Sequence, residues 1–273
     1  MELCQEKLGE LNMIKFDVWK DGKNKCVTMS YDDGVIYDKK LIEIFDKYGF
    51  KGTFHINSGL AGETRIPMPE ISGVYKNHEV AVHGVKHESL TKLPPQNVIW
   101  DIFEDRKALE ALTRKPVMGM SYANGYASEE ICSYLKACGI LYSRTVKSTK
   151  RFDLPENFLL WHPTCHHSEA PELCDTFLAN TYNRGMLFYI WGHSYEFNLD
   201  NNWELIEGVC AKLGGRDDIW YASNIEIYDY VTAQRSLRIS ADNKIVTNPS
   251  ALDVWVRQDE DIVKIPGGET VCF

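Results

Sequence analysis

Short apolar runs alternate along residues 25–233 with segments in which apolar residues recur at spacings of three and four. Runs of the first kind are typical of buried parallel strands, and segments of the second kind are typical of amphipathic helices. The predicted strands cover residues 25–30, 52–57, 79–82, 117–122, 141–146, 186–191 and 219–222. The predicted helices cover residues 39–48, 94–112, 128–138, 171–184, 202–213 and 225–233. This alternation predicts a parallel sheet or barrel with the helices outside it.

Three segments before or between these elements are less regular. Residues 2–12 predict only a weak short helix. Residues 13–19 and 25–30 flank a turn signal at 21–24, which predicts a hairpin leading into the first strand of the barrel. Residues 147–170 show neither period, so we expect them to be irregular.

The last part of the chain changes pattern again. Beyond Arg235 short segments alternate apolar and polar residues and are separated by Asn, Pro and Gly. Such alternation predicts a small antiparallel appendage. We therefore expect a distorted (β/α)7-type barrel over residues 1–234 and a C-terminal β-rich extension over residues 235–273.

Titratable side chains follow the predicted strands at the points where they end. Asp32 and Asp33 come after the strand at 25–30, and His83 and His87 follow the strand at 79–82. Two imidazoles and one carboxylate are a ligand set that a divalent metal accepts, with one position left open for water. The other carboxylate is then free to act as a base on that water.

More polar residues share this placement at strand ends. They are His55, Asn57, Tyr122, Asn124, Arg144 and His193. Because the C-terminal ends of barrel strands ring one mouth, we expect all of these side chains to converge there.

Composition and charge exclude several classes of function. Thirty basic residues against thirty-nine acidic ones give a net charge of −9, which argues against nucleic acid and anionic membranes as partners. No run approaches the roughly 18 apolar residues of a membrane span. The first residues do not resemble a signal peptide and the eight cysteines form no CxxC pair, so we expect a cytoplasmic protein with free thiols, or a secreted one if a leader has been removed.

Three motifs resemble those of the polysaccharide deacetylases, carbohydrate esterase family 4: Ser30-Tyr31-Asp32-Asp33-Gly34, His83-Gly84-Val85-Lys86-His87 and Trp191-Gly192-His193. The likeness extends over about residues 25–230. It implies that Asp33, His83 and His87 bind the metal, that Asp32 is the general base and that His193 is the general acid. Zinc suits these ligands best, and cobalt, nickel or iron could replace it.

Two other family motifs are altered or absent. The third usually carries an arginine that orients the base, but Ser121 stands at the matching position. Tyr122 and Asn124 follow it and are expected to bind substrate, with the Asn124 backbone N–H facing the oxyanion. The fourth supplies a carboxylate partner for the acid histidine and cannot be placed, with these candidates left open: Asp153, Glu156, Glu169 and Asp175. Glu196 is a further alternative, either holding His193 or lying on the surface.

The irregular segment contains a second group of histidines. We expect it to form a lid in which Trp161 is a sugar-stacking platform and His162 is a polar contact, although a loop packed by its own Trp and Pro explains the same residues. A second metal site at Cys165, His166 and His167 is disfavoured, because adjacent positions suit one ion poorly.

The residues by themselves imply metal-dependent hydrolysis of an amide or ester. The family resemblance implies removal of an acyl group, most directly an N-acetyl group, from an acetylated amino sugar or oligosaccharide. Two alternatives stay open: metal-dependent hydrolysis of a non-sugar C–N bond, and a non-catalytic metal-bearing carbohydrate-binding protein. The sequence indicates no oligomeric state.

Overall fold

The computed structural model describes residues 13–60, 62–180 and 185–273, which form fourteen strands and eight α-helices. The strands are β1 (Ile14–Lys15), β2 (Lys25–Asp32), β3 (Gly52–Ile56), β4 (Glu79–Val82), β5 (Gly119–Ser121), β6 (Tyr142–Arg144), β7 (Cys165–His166), β8 (Met186–Gly192), β9 (Ile219–Tyr221), β10 (Arg238–Ile239), β11 (Ile245–Thr247), β12 (Val254–Gln258), β13 (Asp261–Ile265) and β14 (Thr270–Cys272). The helices are α1 (Asp38–Tyr48), α2 (Ile71–Val74), α3 (Pro95–Thr113), α4 (Glu129–Ala137), α5 (Ala170–Ala179), α6 (Ser194–Leu199), α7 (Trp203–Leu213) and α8 (Asn224–Arg235).

Eight of the strands form one parallel sheet. Hydrogen-bonded neighbours follow the order β6-β5-β4-β3-β2-β8-β7, and β9 pairs with the first half of β2. All residues of β2 are buried, as expected for a central strand covered on both faces. The sheet curls into a half-barrel with helices along its outside, so the predicted distorted (β/α) barrel is confirmed.

Two apolar clusters hold these layers together. The larger one packs the helices against the sheet and includes Phe45, Phe54 and Ile102. The smaller one lies between the barrel and the C-terminal strands, where Trp161 and Val256 are both fully buried. The antiparallel strands expected near the C-terminus are present, in two small sheets with the orders β1-β12-β13 and β10-β11-β14. Where one domain ends and the next begins stays a prediction.

The N-terminal hairpin prediction is wrong. Strand β1 pairs with β12, with Ile14 opposite Gln258, and makes no ladder with β2. The reason lies in Trp19, whose buried indole donates a hydrogen bond to the Met186 carbonyl at 3.0 Å and fixes the chain before the turn to the bottom of β8. The predicted helix at 2–12 lies outside the described residues.

The segment at 147–170 is also more regular than its sequence suggests. Strand β7 pairs in parallel with β8, placing Cys165 opposite Ile190 and His166 opposite Trp191. Its two residues are too few for a period to be visible in sequence. Helix α5 ends at Ala179, and the last residues of the helix predicted to reach 184 are not among those described. Within the described ranges, no helix is long and apolar enough to cross a membrane.

A half-buried carboxylate lies at the end of the barrel opposite the strand C-termini. Glu79, the first residue of β4, accepts hydrogen bonds from the Tyr142 hydroxyl at 2.6 Å, from the Thr53 hydroxyl at 2.9 Å and from the Ile225 backbone N–H at 2.9 Å. It therefore joins β3, β6 and the start of α8. Burial raises the pKa of Glu79 to about 7, against the opposing effect of these hydrogen bonds.

Glu79→Gln is expected to flatten the pH dependence of stability. Glu79 stays protonated in the folded protein up to about pH 7, whereas a glutamate in the unfolded chain ionises at about pH 4.3. Since the folded state binds more protons in this window, its free energy of unfolding falls as pH rises from about 4.5 to 7, with about 1–3 kcal/mol coming from this group. Urea unfolding at several pH values measures the effect.

The matched control is Glu70→Gln. Glu70 forms an exposed ion pair with Lys39 at 2.8 Å, so its removal should leave the wild-type slope nearly unchanged. A Glu79→Gln protein that loses stability with pH as steeply as the wild type would show that Glu79 ionises normally in the fold.

Candidate active site and metal centre

Asp33, His83 and His87 converge at the mouth formed by the strand C-termini. Asp33 Oδ1 lies 3.8 Å from His83 Nε2 and 3.6 Å from His87 Nε2. Two tetrahedral ligands at 2.0–2.2 Å from one ion are separated by about 3.3–3.6 Å, so these gaps are close to the spacing that a zinc ion requires.

Backbone geometry brings the three side chains together. Asp33 follows β2 with φ 83° and His87 has φ 59°, both in the left-handed region that non-glycine residues rarely adopt. Gly34, with φ 63°, continues the turn after Asp33. Such strained positions persist where the surrounding structure holds them, and here both occur at candidate ligands.

The polar atoms of this cluster fit a cation. Among the described residues, Asp33 Oδ1 and His83 Nε2 are buried without a hydrogen-bond partner. His83 Nδ1 lies 3.0 Å from the Ser121 carbonyl oxygen, which can only accept, so the ring proton is on Nδ1 and the Nε2 lone pair faces Asp33. Burial lowers the pKa of His83 to about 4, which keeps the ring neutral near pH 7. A divalent cation would satisfy both orphaned atoms.

Asp32, the last residue of β2, is 2% exposed and is surrounded by donors. Its Oδ1 accepts from the Ser121 hydroxyl at 3.1 Å and lies 3.2 Å from His55 Nδ1, while its Oδ2 accepts from Arg144. Burial works against ionisation, but the Arg144 guanidinium and the nearby histidines hold the pKa of Asp32 well below its usual range. Asp32 is therefore a carboxylate.

Arg144 occupies the role that the altered third motif leaves open. It ends β6, is fully buried, and donates to Ser30 Oγ at 3.1 Å as well as to Asp32. Its guanidinium also stacks 4.4 Å from the Trp191 ring centre. Thus an arginine from the strand after Ser121 orients the carboxylate. The sequence signal is a lone arginine closing an apolar strand, which predicts a place at the mouth but no role.

His193 has a carboxylate partner three residues along the chain. Glu196 lies in α6, where it caps the helix start: its Oε2 accepts from the His193 backbone N–H at 3.3 Å, and its Oε1 lies 3.2 Å from His193 Nδ1. Burial opposes the charged ring, but Glu196 and the site aspartates raise the pKa of His193 above its usual value. Of the alternatives left open for this partner, the structure brings Glu196 to His193.

The predicted substrate-binding residues divide into buried and accessible ones. Tyr122 is 1% exposed and its hydroxyl donates to the Leu159 carbonyl at 2.8 Å, and Trp161 is 0% exposed within the second apolar cluster. Both rings are structural, so the stacking role expected for Trp161 and the substrate contact expected for Tyr122 are corrected. Asn124 is exposed and donates to the His87 carbonyl at 3.3 Å, and half-buried His162 lies 2.6 Å from Thr145 Oγ1.

Two aspartates that no sequence motif singles out support the loop that carries His83 and His87. Asp105 on α3 accepts from the Ser58 N–H at 2.7 Å and from the His83 N–H at 3.0 Å. Asp101, one turn earlier, accepts from the Val85 N–H at 3.0 Å. The available signal was two acids at positions i and i+4 on the buried face of an otherwise apolar helix stripe.

Part of the chain matches a known protein family. Residues 20–143 match the family model described as polysaccharide deacetylase. The resemblance to the polysaccharide deacetylase family is confirmed. The matched segment includes Asp32, Asp33, His83 and His87, while Arg144, His193 and Glu196 lie beyond its end. No curated protein sequence matches the chain.

Solved structures share the fold at low sequence identity. A protein from Mycobacterium smegmatis described as a polysaccharide deacetylase aligns with TM-score 0.62 and 19% identity over 82% of this chain and 96% of its own. A carbohydrate esterase family 4 domain of a xylanase from the hindgut metagenome of Trinervitermes trinervoides gives TM-score 0.54 and 15% identity over 77% and 92%. A family 4 acetyl xylan esterase from Clostridium thermocellum, solved with a cobalt ion, gives 0.52 and 13% over 74% and 90%.

Asp105→Asn is expected to weaken zinc binding about tenfold or more, because groups that orient metal ligands contribute at this level. The asparagine amide would turn an N–H toward one of the two backbone donors that Asp105 now satisfies. Competition with a chromophoric chelator measures the affinity, and circular dichroism confirms the fold.

Glu104→Gln, a change at the half-exposed neighbour of Asp105 on the same helix, is the control and should bind zinc like the wild type. Unchanged zinc affinity in a folded Asp105→Asn protein would mean that the loop carrying His83 and His87 keeps its shape without the hydrogen bonds to Asp105.

Proposed function

We propose that this protein is a metal-dependent hydrolase that removes an acyl group, in the first instance N-acetyl, from an amino sugar or oligosaccharide. The observation that carries the proposal is a His-His-Asp cluster whose buried ligand atoms have no hydrogen-bond partner among the described residues. Asp32 is ionised beside this cluster. His193, which is paired with a carboxylate, lies close enough for the charges of Asp32 and Asp33 to raise its pKa. Membership of the matched segment in a deacetylase family, and an acetyl xylan esterase among the similar folds, support an acetylated sugar as substrate.

Asp33, His83 and His87 would hold the ion, with zinc favoured and cobalt, nickel or iron as alternatives. A bound divalent ion supplies polarisation of the acyl oxygen and a lowered pKa for water. Arg65 also contributes: it donates to the Asp33 backbone carbonyl and lies 3.6 Å from Asp33 Oδ1, so it steadies the ligand.

Asp32 would take a proton from the attacking water. The contacts from Arg144 and Ser121 keep it ionised and fix its orientation, while they lower its basicity. Its role as a general base therefore depends on position as much as on pKa.

His193 would give a proton to the leaving amine. Glu196 accepts at Nδ1, which leaves Nε2 as the nitrogen that can face the substrate, and the raised pKa populates the charged ring near neutral pH. Asn124 and His162, the accessible members of the predicted substrate set, are proposed to contact the sugar.

The first test is acetate release from a panel of N- and O-acetylated mono- and oligosaccharides by zinc-loaded protein. Release should disappear on chelation and fall by about 10²–10⁴ in Asp32→Asn, since general-base catalysis contributes in this range. A folded protein that binds zinc at Asp33 and leaves the whole panel intact would contradict the proposal and favour either another C–N substrate or sugar binding without turnover.

His193→Gln tests the role of His193 as general acid, by comparing two substrates whose leaving groups differ in their need for a proton. Hydrolysis of an N-acetyl sugar, whose amine needs a proton to depart, is expected to fall by about 10²–10⁴. Hydrolysis of p-nitrophenyl acetate, whose phenolate leaves unaided, should fall by less than about fivefold, because no proton transfer is needed. Equal losses on both substrates would indicate that His193 acts on binding or fold and not as the acid.

A further inference from the structure

A second cluster of metal-ligating side chains lies behind the acid histidine. His166 ends β7, His167 follows it, and Glu196 approaches both from α6. Glu196 Oε2 lies 2.9 Å from His166 Nε2 and 3.3 Å from His167 Nε2. Two tetrahedral zinc ligands are separated by about 3.3–3.6 Å, so the gap to His167 matches this separation and the gap to His166, at hydrogen-bond distance, is shorter. All three ligand atoms lie within 4.8 Å of one another.

Packing fixes both imidazoles. The His167 ring is stacked on Tyr31 at 5.9 Å and lies 4.1 Å from the Phe197 ring. Its Nδ1 side packs against Gly192, where a Cβ would come within 2.0 Å of Nδ1, so only Nε2 can reach the carboxylate. The His166 ring meets Trp191 edge-on at 5.0 Å. Rigid ligands lose little conformational entropy when they bind an ion.

The cluster combines one neutral, buried histidine with access from solvent. Burial lowers the pKa of His167 to about 3, so its ring is neutral at physiological pH. The side chains of His166 and Glu196 are 24% and 26% exposed, which gives an ion a route to the ligand atoms. Two histidines with one glutamate form a set that zinc uses in proteins with water as the fourth ligand.

The carboxylate is divided between two partners. Glu196 Oε2 faces the His166–His167 pair and also accepts from the His193 backbone N–H at 3.3 Å, whereas Oε1 faces His193 Nδ1 at 3.2 Å. An ion on Oε2 can therefore bind without displacing His193 from Oε1. It would, however, compete with His193 Nδ1, 3.2 Å from Oε1, for the negative charge of the same carboxylate.

We propose that His166, His167 and Glu196 form a second divalent-cation site, selective for zinc-like ions, separate from the site at Asp33, His83 and His87. Occupancy of this second site reduces turnover by weakening the hold of Glu196 on His193. The binding stands on the geometry alone, whereas the effect on turnover rests on the proposed function.

The test is a count of zinc ions per chain, by metal analysis after equilibrium dialysis of metal-free protein against micromolar zinc. We expect two ions in the wild type, one in His166→Gln, one in Asp33→Asn and none in the double variant. His162→Gln, a change at a half-buried histidine outside the cluster, is the control and should keep two. Circular dichroism establishes that each variant is folded. One ion in the wild type, or an unchanged count in His166→Gln, overturns the proposal.

A second measurement separates this proposal from the hydrolase. For each protein, activity on an N-acetyl sugar in excess zinc is divided by its activity at one zinc equivalent. This ratio should be about one third or less in the wild type and should stay near one in His166→Gln. A zinc count of two with no change in the ratio would overturn the coupling to His193. If no substrate is turned over at all, the zinc count still decides whether the second site exists.

Discussion

The arrangement of the mouth depends on the buried ion pair between Asp32 and Arg144. Taking two charges out of water costs several kcal/mol for each ion unless both are matched in place. Arg144 is matched by Asp32, by Ser30 Oγ and by the face of Trp191. Three strands separate β2 from β6 in the sheet, so these side chains can meet only because the sheet is curled. Loss of either partner would leave a buried charge unpaired, at a cost of about 3–5 kcal/mol.

The other carboxylates of the barrel show that the charge of the hydrogen-bond partners determines whether a carboxylate is ionised and hence what it does. Asp105 receives only neutral donors, and burial raises its pKa to about 6, whereas the Arg144 guanidinium holds the pKa of Asp32 well below its usual range. Glu79 likewise has neutral partners and a pKa of about 7. Carboxylates that meet neutral donors clamp loops and helix ends, and those that meet positive charge, such as Asp32 and Glu196, remain ionised beside the candidate chemistry.

The sequence predicted the repeating elements of the barrel and the residues in its strongest motifs, because both leave local patterns. Asp32, Asp33, His83 and His87 each follow an apolar run, and parallel strands bring such positions to one end. Arg144 and Glu196 could not be assigned in this way, since their partners are distant or depend on one helix start. The position of Trp161 could not be predicted for a related reason: a tryptophan close to a proline in an irregular segment has the same pattern whether it faces solvent or, as here, is part of an apolar core. Strands β1 and β7 pair through two residues each, which is too few for a period to be visible in the sequence.

Ser121 and Arg144 are best understood as one unit. The Ser121 hydroxyl occupies the space beside Asp32 Oδ1 and lies 2.7 Å from His83 Nδ1, so it touches both the candidate base and a candidate ligand. An arginine at 121 would bring a second guanidinium to a single carboxylate that Arg144 already neutralises, and one of the two charges would be buried without a counter-ion. A small hydroxyl at 121 is therefore what allows the arginine to come from β6. The requirement at this mouth is one guanidinium at one carboxylate, and either of two neighbouring strands can supply it.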